Sequence, residues 1–125
     1  AWTGKSRCGK YTYSRGNMYW TGTAHRAIDL PAGKITLKIK AMGEASEGVW
    51  PYMVVELDGK EIGEAFVDSA EWKEYAFDTH SEGGIKVLSV TFTNDRCITR
   101  KGVREDRNLF IGDVRVEILR ASRSE

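Results

Sequence analysis

The side chains best suited to chemistry lie at residues 92–110. The segment Phe92-Thr93-Asn94-Asp95 is followed by a loop rich in Arg and Lys, then by Glu105-Asp106-Arg107-Asn108-Leu109-Phe110. Strand-like patterns enter this stretch from both sides. If those strands are antiparallel neighbours, Asp95, Asp106 and Asn108 meet at one end of the fold. Carboxylates and amides gathered on a loop are hard oxygen donors, the set that suits calcium, and Asn94 and loop carbonyls would complete it. The spacing is not that of an EF-hand. A plainer reading competes: Asn and Asp turn the chain, and Arg96, Arg100, Lys101, Arg104 and Arg107 answer the acids as surface ion pairs. Spacing alone leaves both open.

The elements that must position these residues show a hydrophobic period of two. Ile35, Leu37, Ile39 and Ala41 alternate with Lys34, Thr36, Lys38 and Lys40, so one face is buried and the other solvated. Met53, Val55 and Leu57 repeat the pattern, as do Leu88, Val90 and Phe92, then Val114, Val116 and Ile118. No segment sustains a helical stripe. Turns are expected at Pro31-Ala32-Gly33, at Asp58-Gly59 and at Ser81-Glu82-Gly83-Gly84. Many short strands with regular turns predict an all-β fold, a β-sandwich (jelly roll), with residues 1–125 as a single domain. If successive strands alternate in direction, the short plain turns fall at one end. The longer connections at 14–22, 43–51, 68–71 and 94–108 fall at the other, where binding groups concentrate.

That richer end carries Tyr19, Trp20, Trp50, Glu44 and Glu47 beside the 95–108 group. An exposed Trp or Tyr offers a flat apolar face to the C–H face of a sugar; core packing competes for each of them. Trp50 stands in a loop beside Gly48 and Pro51. Trp72 begins a strand and reads as core, and Trp2 is uninformative. Catalysis has little behind it. His25 and His80 are isolated, no GxSxG is present, and the acids cluster with Asn and Arg rather than as a glycosidase pair. The expected protein is not an enzyme.

A chain of 125 residues suits one core. Its net charge of +1 argues neither for nucleic acid nor for a membrane surface, and no apolar run approaches a membrane span. The 96–107 cations lack interleaved aromatics, so no nucleic-acid partner is expected, while contact with an anionic glycan stays open. Ala1 begins no leader-like stretch, so the expected chain is mature or excised from something longer. Cys8 and Cys97 are too far apart in sequence for a CxxC motif. A single long-range disulfide is the expected reading, contributing roughly 4–5 kcal/mol less any strain, and it fits a secreted, extracellular protein. Two unrelated buried thiols are the alternative.

An ordered set of segments carries a family resemblance. Gly16-Asn17-Met18-Tyr19-Trp20, Leu30-Pro31-Ala32-Gly33, Trp50-Pro51 with the 53–59 strand and turn, the segment 72–75, Phe92-Thr93-Asn94-Asp95 and Asp106-Arg107-Asn108-Leu109-Phe110 resemble calcium-dependent, xylan-binding carbohydrate-binding modules of families 36 and 60. The resemblance implies a jelly-roll module beside a glycoside hydrolase or lyase in one parent protein. It also implies polysaccharide as the partner and calcium as the cofactor, coordinating vicinal sugar hydroxyls. Asp95 and Asp106 match the acidic positions, with Asn108 and Asn94 as further ligands. Trp50, Trp20 and Tyr19 would flank the sugar, with Arg107 also among the ligand-binding residues. The chain departs from the pattern in two places. Residues 1–28 contain no Asp or Glu, where the family often feeds a second, structural calcium. The loop after Asp95 is long and basic, which widens the expected ligand from xylan to acidic glycans. A second class of function, an extracellular structural domain that self-assembles, rests on exposed strand edges.

Overall fold

Two long strands dominate the molecule and pair with each other from end to end. In the computed structural model, which describes residues 2–6, 12–14, 17–18, 22–94, 96–100 and 103–119, the backbone alone is described at 4–6, 12–14, 17, 96–100 and 103–106. Every regular element among them is a strand: β1 (Thr3–Ser6), β2 (Thr12–Ser14), β3 (Asn17–Met18), β4 (Gly22–Glu44), β5 (Tyr52–Leu57), β6 (Lys60–Phe66), β7 (Lys73–Phe92), β8 (Arg96–Arg100) and β9 (Val103–Ile118). Antiparallel pairing of β4 with β7 runs from Gly22↔Phe92 to Ala41↔Lys73.

The expected turns at 31–33 and 81–84 face each other midway along this ribbon, as the pairs Leu30↔Gly84 and Ala32↔Glu82 show. Gly33, Gly83 and Gly84 have φ of +110°, +90° and +97°, values that side chains resist. The ribbon folds over there with its pairing almost unbroken. Its two open ends return to one end of the molecule. Gly43 N–H donates to the Ser69 carbonyl and Val67 N–H to the Pro51 carbonyl, each at 2.8 Å, while Met53 pairs with Phe92. The strand directions expected from alternation therefore hold, although the reversals are bends in a ribbon rather than hairpin ends.

The fold-over makes two layers. One is ordered β6-β5-β7-β4-β1-β2, using the C-terminal half of β7 and the N-terminal half of β4. The other joins the remaining halves to β9, which also pairs with β3 and β8. Ile35, Leu37, Ile39 and Ala41 are fully buried against one core with Met53, Val55, Leu88, Val90 and Phe92. Gly63 of β6 lets Phe77 of the facing layer approach, since a Cβ there would stand 2.4 Å from the ring.

Three expectations change. Residues 96–107 are not an irregular loop: β8 pairs with the start of β9, from Arg96↔Arg107 to Arg100↔Val103. β-branched Ile98, Thr99 and Val103 supply strand propensity that the charges mask. Trp72 is no core residue. It is 47% exposed and lies over Gly112, where a Cβ would come within 3.2 Å of the ring. Trp2 is buried instead, and its indole N–H donates to the Gly112 carbonyl at 2.8 Å, tying one layer to the other.

Candidate functional site

At the end where both openings of the ribbon meet, the 45–51 connection, the 93–94 segment and β9 are stitched together by side chains. Ser46 and Val49 form a two-way backbone bridge around Glu47 and Gly48, whose φ values of 55° and 75° are those of a tight primed turn. Arg107 then binds three loop carbonyls. Its Nε donates to Val49 at 2.8 Å, one terminal nitrogen to Asn94 at 2.7 Å and the other to Ser46 at 2.8 Å. The planar guanidinium suits this role because its donors point in fixed, divergent directions. Arg107 is buried, so this cation clamps the loops and does not face a sugar, which corrects the ligand contact expected of it.

Asn94 is a second stitch. Its side-chain oxygen accepts from the Tyr52 N–H at 2.7 Å, and its amide donates to the Trp50 carbonyl at 3.1 Å. Asn94 thereby stands in for a strand neighbour on either side of Pro51, which has no N–H to offer. Part of its capacity as a metal ligand goes into holding Trp50 in place. Asn108 is buried on β9 opposite Glu44, and its amide donates to the Glu44 carboxylate at 2.8 Å. That bond fixes the orientation of the Asn108 amide group.

The remaining expected site residues divide. The Asp106 backbone lies on β9, paired with Cys97 on β8, while the side chains of both lie outside the described residues, as do Cys8, Tyr19, Trp20 and Asp95 altogether. Among the described residues no three His, Cys, Asp or Glu side chains cluster for a metal. Glu44 and Asn108, joined by their hydrogen bond, both carry hard oxygens rather than a thiolate or an imidazole. They fit calcium and not a transition metal.

Trp50 is half-buried on the rim. It borders a shallow cleft with Gly48, Val49 and Phe66. Phe66 was not singled out from the sequence. The available signal was its place after Glu64 on the alternating outer face of β6, which leaves a large apolar side chain in water. The neighbouring 67–72 connection is held by Asp68. Its carboxylate accepts from the Tyr75 hydroxyl at 2.9 Å and the Lys73 ammonium at 3.1 Å, and these bonds hold its pKa below the usual value. Burial and the bond to Asp68 push Tyr75 up to about 12.

A folded-over antiparallel sandwich with oxygen-rich loops at one end is the scaffold of carbohydrate-binding modules, and solved structures bear this out. A CBM36 module in complex with calcium and xylotriose superposes with a TM-score of 0.58 at 8% identity, over 94% of this chain and 88% of that one. The CBM36-1 domain of a multidomain xylanase from the hindgut metagenome of Trinervitermes trinervoides gives 0.52 at 14% identity, over 89% and 85%. A family 35 module from Clostridium thermocellum gives 0.52 at 14% identity, over 87% and 78%. At these identities the likeness establishes the fold. No curated protein sequence matches the chain. The model of the CBM60 family, calcium-dependent and xylan-binding carbohydrate-binding modules, matches residues 36–124, and the chain belongs to that family. It is a non-catalytic, calcium-dependent module whose polysaccharide is xylan.

Proposed function

We propose that the carboxylates of Asp95 and Asp106 and the Asn108 amide oxygen, with loop carbonyls, hold the calcium at the stitched end of the sandwich. Asn94 contributes chiefly by fixing Trp50, and Arg107 by clamping the loops. Calcium held there offers open positions to a vicinal pair of xylan hydroxyls, since the ion takes more oxygens than these residues supply. Trp50, with Trp20 and Tyr19 from the early loop, flanks the sugar. The carrying observation is the Arg107 clamp. It ties the carbonyl of Asn94, next to Asp95, to a residue that itself follows Asp106. Asp95 follows Asn94 and Asp106 precedes Arg107 in the sequence, so the clamp joins the two segments that lead into the acids. The module works outside the cell, in a parent protein that also carries a glycoside hydrolase or lyase, and Cys8 and Cys97 are bridged.

Titration calorimetry with xylooligosaccharides tests the calcium assignment. Binding is expected to vanish in EDTA, to return when calcium is restored, and to be lost in Asp106→Ala with the fold intact by circular dichroism. Xylan binding unchanged by both treatments would rule the assignment out.

A further inference from the structure

The apolar rim beside Trp50 has no role in holding calcium, and its largest member is unexplained by folding. Phe66 is 53% exposed and Val49 41% exposed. Both line the same cleft as Trp50 and Gly48. Phe66 is also built into position. It is the register partner of Tyr52 on β5, and their rings meet edge-on at 65° with centroids 4.7 Å apart. Burial and the nearby Glu64 carboxylate, two residues before Phe66 on the same face, raise the pKa of the Tyr52 hydroxyl. A large exposed ring oriented by a second aromatic is a platform rather than a stray surface residue.

Its location relates it to the calcium loops. Tyr52 N–H is held by Asn94, and Tyr52 lies on the strand between Asn94 and β6. Phe66 therefore stands about two strand spacings, roughly 10 Å, from the 93–94 backbone. An extended oligosaccharide spans that distance and a single sugar does not. We propose that Phe66, with Val49 and Trp50, forms an apolar subsite that carries the xylan chain beyond the calcium-bound sugar, so that the module grips an extended chain. This rests on the placement of calcium given above. A protein partner is a poorer occupant: four rim residues fall far short of the ~800 Å² per partner of a stable interface, whereas one aromatic face is all that a pyranose ring needs.

The test is titration of the whole chain, saturated with calcium, with xylose and xylohexaose. Phe66→Ala is expected to weaken xylohexaose binding about five- to tenfold, leaving xylose binding unchanged, and Phe66→Tyr to restore it. Equal loss at both lengths, or no loss at either, overturns the subsite. So does a dimer in size-exclusion chromatography that Phe66→Ala dissociates, because the rim would then belong to a second copy. Binding that survives EDTA yet keeps the length-dependent effect of Phe66 would sink the calcium placement alone.

Discussion

At the scale of single residues, one amide and one guanidinium hold the end where the longer connections meet. Arg107 donates to three carbonyls; those of Ser46 and Val49 also accept from each other's N–H, so the Asn94 carbonyl depends on it most. Each buried carbonyl left unpaired costs about 1–3 kcal/mol. Arg107→Ala is therefore expected to lower stability by roughly 1–3 kcal/mol and to weaken calcium binding, read by thermal melts and calcium titration of the same sample. Arg107→Lys should recover little of either, because a single ammonium cannot reproduce the fork. The sequence does not reveal this division of labour. Asn94, Arg107 and Asn108 present polar groups whether they bind metal or stitch loops. The choice depends on where the carbonyls of Ser46, Val49 and Trp50 arrive, dozens of residues away along the chain.

At the scale of elements, the 45–51 connection is positioned by how closely it lies on β4. Gly43 permits this, for a Cβ there would stand 2.5 Å from Cγ of Pro51. The proline ring cannot yield as a flexible side chain can. Gly43→Ala is expected to cost about 1–3 kcal/mol by overpacking, and to displace Pro51 and Trp50 so that xylan affinity falls with it. Denaturant melts and calorimetry would check both effects, and wild-type affinity in a folded Gly43→Ala protein would disprove the coupling. The strands themselves were legible in alternation, and Asp58-Gly59 forms its tight turn as expected, with φ of 50° and 83°. The β8–β9 pair was not legible. A run of Arg, Lys and Glu signals a solvated loop unless a partner strand is known to lie beside it.

At the scale of the whole molecule, the outer face of the second layer is a charge ladder running across β7, β4 and β9. Arg115 bonds Glu74 at 3.0 Å and 3.2 Å, and Lys38 pairs with Glu117. These bonds hold the Glu74 and Glu117 carboxyls below their ordinary value of 4.5. An acid whose pKa is lowered by folding adds stability above its unfolded pKa and loses it as pH falls through the folded value. The destabilisation caused by Arg115→Ala is thus expected to be present at neutral pH and to disappear as pH drops below 4.5, in urea melts at a series of pH values. Tyr75 has the opposite sign: its pKa rises from 10.0 to about 12, so stability should fall as pH climbs through that interval.

The sequence by itself determined the class of fold, the end at which the longer connections meet, and the oxygen character of the side chains expected there. Those follow from a period-two pattern, turn residues and the chemistry of Asp and Asn, all of which are local. Only the tertiary structure decided that 31–33 and 81–84 bend one ribbon, that Trp72 stays outside while Trp2 goes in, that Arg107 clamps rather than binds, and that Phe66 stands beside Trp50. Each of these depends on which distant backbone lies within hydrogen-bonding or van der Waals reach, and no local pattern records that.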